Sequence, residues 1–136
     1  MSDKPSSAKD EDVIRSLVEN WARAVRNKDV EQILAHHAAD ILMFDVPVPL
    51  QLKGIEAYKQ SWNSFFDWLD RGGTFDLSEL SITAGTDIAF CHAIIHCGNP
   101  RGSGQEDDLT VRLTIGLKKI NGEWMILHEH HSAPAD

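Results

Sequence analysis

Two closely spaced histidines near the C-terminus are the residues of this sequence best suited to acid–base chemistry. His128 and His130 are separated by one residue within an apolar segment, so in a β-strand their side chains lie on the same face. A buried imidazole needs hydrogen-bond partners for its nitrogens, and two of them in alternation predict a polar patch inside a cavity. Alternatively, one or both side chains bond only to neighbouring strands or to Ser132.

An aspartate that follows an apolar run is the second candidate. Asp45 comes directly after residues 41–44 and precedes a segment that contains Pro47 and Pro49. A carboxylate partly shielded by apolar walls holds a proton more tightly than a solvated one, which suits a general base or acid near neutral pH. The alternative is that Asp45 only caps the backbone of the following turn. The sequence leaves both interpretations open.

Two further histidines, His92 and His96, lie on an earlier apolar segment and share a face if it is a strand. If that face points inward, His92 meets His128 or His130 in the cavity. These histidines and Asp45 could together bind a metal ion, but alternating histidines on a strand are a weak indication of a metal site. We therefore expect proton transfer or binding of a polar ligand group, with no metal and no cofactor.

A predicted β-hairpin positions the C-terminal histidines. Asn121-Gly122 tolerates positive φ at both positions, which predicts a two-residue turn between two long strands over residues 109–132. Counting back from this turn pairs the strands as Leu117–Ile126, Ile115–His128 and Leu113–His130. In this register both histidines join the apolar face, whereas Arg112, Glu129 and His131 lie on the opposite, mixed face. A β-bulge after Lys118 would exchange the two faces.

Three helices are predicted in the first half of the chain. Apolar residues spaced by three and four predict the first helix from Asp10 onward, after a disordered tail at residues 1–9. Asp29 is a suitable N-cap for a short second helix that runs to His37. The third helix is predicted over residues 55–69, where aromatic residues recur on one face.

Strands are predicted to fill the rest of the chain. They cover residues 41–44, 74–83 and 88–97 and the two arms of the hairpin. Helices followed by antiparallel strands indicate an α+β fold. We expect a single domain over residues 10–136, in which three N-terminal helices pack on the concave face of a curved antiparallel sheet. Trp62 is the aromatic side chain expected at the wall of an apolar pocket, since large aromatics line such pockets. Phe66 and Leu113 are further candidates for substrate binding, although packing in the core is the simplest interpretation of Phe66.

The composition excludes several classes of function. The chain has 136 residues, 42% of them hydrophobic, and a net charge of −8 without any basic run, so nucleic acid and anionic membrane surfaces would be repelled. No apolar run reaches the roughly 20 residues that span a bilayer. Cys91 and Cys97 lie six residues apart in one strand, too far for a disulfide. Reduced core thiols and the absence of a signal peptide predict a cytoplasmic protein.

The C-terminal segment from Trp124 to Pro134 reads W-x-x-x-H-x-H-x-S-x-P and resembles the ending of SnoaL-like proteins of the NTF2-like superfamily. Trp21, Asp29 and Gly54 also stand where that family places such residues, and the likeness spans roughly residues 12–134. The resemblance implies a cone-shaped sheet, a hydrophobic pocket between the sheet and the third helix, and a homodimer formed through the outer sheet face.

Residues 40–45 resemble the segment of the ketosteroid isomerases that ends in their catalytic aspartate, here Asp45. The oxyanion-stabilising tyrosine of those enzymes corresponds to Trp21, which has no phenol proton. The resemblance implies a cofactor-free isomerase-like or cyclase-like enzyme, or a binder, for a small hydrophobic oxygenated carbonyl compound. Asp45 and His130 would be catalytic, and His92 and His128 would bind substrate. The alternative is a non-catalytic domain that dimerises or senses a ligand.

Overall fold

The computed structural model describes residues 6–98 and 108–135. In chain order, the elements are α1 (Ser6–Asn27), α2 (Val30–Leu34), β1 (His37–Phe44), β2 (Leu52–Lys53), α3 (Ile55–Ser61), α4 (Asn63–Asp70), β3 (Asp76–Ala84), β4 (Ile88–Cys97), β5 (Leu109–Ile120) and β6 (Glu123–Ser132). Helix α1 begins four residues before its predicted start, because Ala8 and Lys9 favour helix. Residues 1–5 of the predicted tail lie outside the described part.

The six strands form one curved, open sheet in the order β2-β1-β6-β5-β4-β3. Neighbouring strands are antiparallel except β1 and β6, which run parallel. The core joins apolar residues of α1, such as Ile14 and Val18, to inward-facing residues of the sheet, such as Ile115 and Leu117. The α+β fold predicted from the order of elements is confirmed. No helix within the described residues is long and apolar enough to cross a membrane.

Two helix predictions need correction. The second helix ends at Leu34, because Ala35 is extended and His36 has a φ of 60°, so His37 begins β1 instead. The third helix is divided into α3 and α4 at Trp62, whose N–H donates to the Lys59 carbonyl oxygen three residues back. This tighter bond interrupts the regular four-residue ladder. The sheet is therefore accompanied by four helices in the described chain, not three.

The hairpin is confirmed, but its register is right only near the turn. Asn121 and Gly122 have φ values of 53° and 82°, and Leu117 pairs with Ile126 as predicted. The next pair is Gly116 with His128, which leaves Leu127 as an extra residue in β6. This β-bulge lies where the Ile126 N–H donates to the His36 carbonyl oxygen and β1 joins β6. Because side chains alternate with a period of two, the bulge reverses every face beyond it.

Candidate functional site

A cavity of about 280 Å³ lies between α4 and the inner face of the sheet. Its apolar walls are formed by Met43, Trp62, Phe65, Trp68, Phe75, Ile95, Leu109 and Val111. Among the described residues, one carboxylate and one imidazole reach it: Asp45, directly after β1, and His131, near the end of β6. A mostly apolar cavity with a few convergent polar groups is the usual form of a small-molecule site.

His131 connects this cavity to a buried carboxylate. Its Nε2 lies 3.1 Å from Glu129 Oε1, and its Nδ1 lies 3.9 Å from Asp45 Oδ1. The side chains of Glu129, His131 and Asp45 are 0%, 8% and 22% exposed, so the series runs from the core to the cavity. A carboxylate that fixes one imidazole nitrogen while the other faces a ligand site is the arrangement that catalytic carboxylate–histidine pairs use.

Three more buried side chains complete the environment of Glu129. His37 Nε2 lies 2.7 Å from Glu129 Oε2, and the Tyr58 hydroxyl donates to the same oxygen at 2.8 Å. The Trp21 indole N–H donates in turn to the Tyr58 hydroxyl oxygen at 2.9 Å. Residues from α1, α3, β1 and β6 thus form one hydrogen-bonded network, which satisfies the polar groups that the core buries.

The network keeps Glu129 ionised although burial opposes this. Burial alone would raise the pKa of Glu129, but the hydrogen bonds from His131 and His37, and the positive charge of these rings when they are protonated, lower it to about 2. Burial and the charge of Glu129 raise the pKa of Tyr58 well above its ordinary value, so its hydroxyl stays a donor. Glu129 is therefore an acceptor at neutral pH, and each partner must present a hydrogen to it.

Cys97 also lines the cavity, but it is not a suitable nucleophile. Burial, followed by the charge of Asp76, raises the pKa of Cys97 to about 11, and burial raises that of Cys91 to about 12. Both are buried, and neither forms a disulfide. Because the thiolate is the reactive form of cysteine, these residues are packing groups at neutral pH.

Four of the predicted site histidines and aromatics lie elsewhere. His130 and His92 are exposed on the outer sheet face, and His128 is half-buried there, with Nδ1 2.7 Å from the Leu42 carbonyl oxygen. Their predicted inward orientation is wrong: the bulge at Leu127 reverses the β6 pair, and the exposed alternate residues of β4 carry His92. Phe66 packs against the core without reaching the cavity.

Of the remaining predicted residues, Trp62 and Asp45 line the cavity, and Leu113 is buried in the core beside its pairing partner His131. Asp45 fits parts of both earlier interpretations, because its Oδ1 accepts the Val46 N–H at 2.8 Å while the carboxylate also faces His131. The substrate-binding and catalytic roles of these residues stay predictions.

The residues that form the buried network do not stand out in the sequence. The bulge-free register predicts Glu129 and His131 on the outer face, and the helical pattern predicts His37 at the end of a helix; both predictions are wrong. Tyr58 belongs to the aromatic face predicted for the third helix, and that pattern gives its hydroxyl no partner. The available signal was the repeat of three polar residues in E-H-H at 129–131, which is unusual inside an apolar strand. In the described ranges, no three His, Cys, Asp or Glu side chains are grouped as a metal site requires.

The Trp68 side chain, which lines the cavity, packs directly against Gly73. A Cβ at this position would lie 2.1 Å from both Cδ1 and Nε1 of Trp68. We expect Gly73→Ala to displace the Trp68 ring and to lower the free energy of unfolding by about 1–3 kcal/mol. Denaturant titration measures this. The matched control is Gly116→Ala, whose Cβ would meet His128 Cβ at an ordinary 3.7 Å. Equal stability of the two variants would contradict the prediction.

Comparison with known proteins gives the family. The SnoaL-like domain family matches residues 14–136. No curated protein matches the chain. Among solved structures, an NTF2-like protein of unknown function from Pseudomonas putida KT2440 is 36% identical, with 96% of this chain and 90% of that chain covered and a TM-score of 0.86.

Two more distant structures share the fold alone. A candidate ketosteroid isomerase from Shewanella frigidimarina NCIMB 400 is 23% identical, with 86% of this chain and 92% of that chain covered and a TM-score of 0.74. A candidate calcium/calmodulin-dependent protein kinase II association domain from Xanthomonas campestris is 17% identical, with 90% and 86% covered and a TM-score of 0.72. The family match over residues 14–136 and the 36% identical structure together show that the chain belongs to the SnoaL-like family of NTF2-like proteins.

Proposed function

We propose that the cavity binds a small hydrophobic carbonyl compound and that Asp45 and His131 move a proton on it. The observation that carries this proposal is the position of the His131 ring, between the buried Glu129 and the cavity-facing Asp45. Glu129 fixes the orientation of the ring, and the apolar walls exclude water from the reacting groups.

The chemistry that this arrangement supports is proton abstraction next to a carbonyl group. Asp45 or His131 accepts a proton from the carbon beside the carbonyl, and the C–H bonding electrons move to the carbonyl oxygen as an enolate forms. If a carbon–carbon double bond adjoins that carbon, the enolate is conjugated with it, and return of the proton to the far carbon of that double bond shifts the double bond and completes an isomerisation without any cofactor. The Trp68 indole N–H is buried beside the cavity and has no acceptor among residues 6–98 and 108–135. An oxygen atom of the ligand would provide that acceptor, which supports the proposal of an oxygenated compound.

Proton exchange tests this function without knowledge of the physiological substrate. A panel of hydrophobic ketones is incubated with the protein in D₂O, and deuterium uptake next to the carbonyl is measured by mass spectrometry. We expect catalysed uptake for at least one ketone and a loss of at least about 100-fold in Asp45→Asn.

Asp40→Asn is the matched control, because Asp40 lies on β1, the strand that Asp45 directly follows, but is exposed. Uptake in Asp40→Asn should equal that of the wild-type protein. Ketones that bind without any catalysed exchange, or unchanged exchange in Asp45→Asn, would contradict the proposal. Binding without exchange would instead favour the ligand-sensing alternative.

Homodimer formation through the outer sheet face also stays a proposal, and exposed apolar residues support it. On β4, Ile88 and Phe90 are 56% and 49% exposed on the face that the helices leave uncovered. Light scattering at micromolar concentration should give about 30 kDa, twice the 15.2 kDa of the chain. A mass of one chain would contradict a dimer.

A further inference from the structure

His37 is a fully buried ionisable residue for which the proposed reaction has no use. Each of its ring nitrogens faces an acceptor. Nδ1 lies 2.9 Å from the Ala35 carbonyl oxygen, and Nε2 lies 2.7 Å from Glu129 Oε2. A neutral imidazole carries one N–H and can satisfy only one of these contacts, whereas an imidazolium satisfies both. Otherwise, Glu129 would have to carry the missing hydrogen.

The other contacts of Glu129 favour the ionised carboxylate. The Trp21 indole is a donor only, so its bond to the Tyr58 oxygen directs the Tyr58 hydrogen to Glu129 Oε2. That oxygen therefore receives hydrogens from Tyr58 and His37, and Oε1 receives one from His131. Three donors around a carboxylate stabilise its charge, and a cation on His37 balances that charge within the core.

The geometry at His131 indicates a neutral ring. Its Nε2 meets the ionised Glu129 and must carry a hydrogen. Its Nδ1 is 3.9 Å from Asp45 Oδ1, beyond hydrogen-bond distance, although an N–H at Nδ1 would be attracted to that carboxylate. Nδ1 therefore makes no hydrogen bond to Asp45, whose Oδ1 accepts the Val46 N–H instead. Two uncharged rings, those of Trp21 and Trp62, also pack against the His131 ring.

We infer that the buried His37 is protonated on both nitrogens and that its positive charge neutralises Glu129. His131 is therefore a neutral Nε2–H tautomer, and its unprotonated Nδ1 faces the cavity. His37 is then a positioning residue, because it acts only through Glu129 and His131. The use of this Nδ1 in proton transfer rests on the proposed function, but the protonation states do not.

This assignment defines the ligand group that the polar end of the cavity accepts. His131 Nδ1 and Asp45 Oδ1 are both acceptors, so they favour a hydrogen donor such as a hydroxyl, an enol or an acidic C–H group. A carbonyl oxygen or a carboxylate would be repelled there. The carbonyl oxygen of a substrate would therefore point away from this pair, and its acidic C–H group would point toward it.

Nitrogen NMR tests the assignment directly. The folded protein is labelled with ¹⁵N-histidine, and long-range ¹H–¹⁵N spectra are recorded at pH 7, with assignment from single histidine variants. We expect two protonated nitrogens in His37, and in His131 one protonated Nε2 and one unprotonated Nδ1. The exposed His130 serves as an internal reference. A neutral His37, or an imidazolium at His131, would overturn the inference.

A variant at position 37 provides the second measurement. In His37→Phe the cation is lost while an aromatic ring remains to stack on Tyr58, which His37 contacts at a centroid distance of 4.8 Å. Glu129 should then draw a second proton onto His131, which is visible as protonation of Nδ1 at pH 7. An unchanged His131 in a folded variant would contradict the inference. If the variant does not fold, the wild-type spectrum still decides, and neither spectrum depends on ketone exchange.

Discussion

Replacing Glu129 with alanine should lower the free energy of unfolding by about 3–5 kcal/mol. The substitution removes the acceptor for His37, Tyr58 and His131, all within 3.1 Å of the carboxylate. Three donors would then be buried without partners, and any positive charge on the histidines would lose its counter-ion. Denaturant unfolding followed by circular dichroism measures the loss.

Glu123→Ala is the matched control for this prediction. Glu123 is on the same strand but is exposed at the hairpin turn, where a substitution should change stability by less than about 0.5 kcal/mol. A Glu129→Ala variant as stable as Glu123→Ala would show that the carboxylate is not held in a buried network.

The free energy of unfolding should depend on pH through the ionisation of Glu129. The folded-state pKa of Glu129 is lowered from 4.5 to about 2, so its stabilising effect is present above the unfolded-state value and is lost as pH falls through the folded one. As pH falls from about 5 to about 2, protonation of Glu129 should lower the free energy of unfolding of the wild-type protein by about 3 kcal/mol. In Glu129→Gln this contribution is absent, so the stability gap between the two proteins should narrow on acidification. A constant gap would contradict the lowered pKa.

Truncation of Trp124 to alanine should cost about 3–5 kcal/mol of unfolding free energy. Trp124 is buried in the core and pairs with Lys119, next to the Ile120–Glu123 pair that closes the hairpin turn. Its indole N–H donates to Asp10 Oδ1 at 3.1 Å. The same oxygen accepts from Lys119 Nζ at 2.9 Å. These two hydrogen bonds lower the pKa of Asp10, because they stabilise its ionised form. Asp10 lies on α1, so the same bonds connect helix α1 to the hairpin.

Trp124→Phe separates the ring from the hydrogen bond. It keeps most of the buried volume but removes the N–H donor, so it should cost about 1 kcal/mol. Denaturant unfolding of both variants provides the comparison. A cost below about 1 kcal/mol for Trp124→Ala would show that the side chain is not part of the core.

The fold could be predicted because local patterns determine most of it. Strand β4 was predicted with the bounds Ile88–Cys97, and Asn121-Gly122 fixed the hairpin and its first pairs. Periodicity of apolar residues identified α1, and the Asp29 cap of α2 is present, with its carboxylate accepting the Gln32 N–H. These features depend on neighbouring residues, which the sequence displays.

The site could be predicted only in part, because one β-bulge in β6 determines which side chains face the cavity and the core. The extra residue Leu127 places Glu129 and His131 inside and leaves His128 and His130 outside. The bulge arises where β1 joins β6 in parallel, a pairing between residues about 90 positions apart that no local pattern indicates. Asp45 was found because the short strand before it and the proline-rich turn after it are both local features.

The most direct measurement compares two adjacent histidines in the ketone-exchange assay. His131→Gln should lose at least about 100-fold in catalysed deuterium uptake, because His131 faces Glu129 and Asp45 at the cavity. His130→Gln should retain wild-type uptake, because His130 is exposed on the opposite sheet face. Loss of uptake in His130→Gln with full retention in His131→Gln would contradict both the inward orientation of His131 and its role in proton transfer.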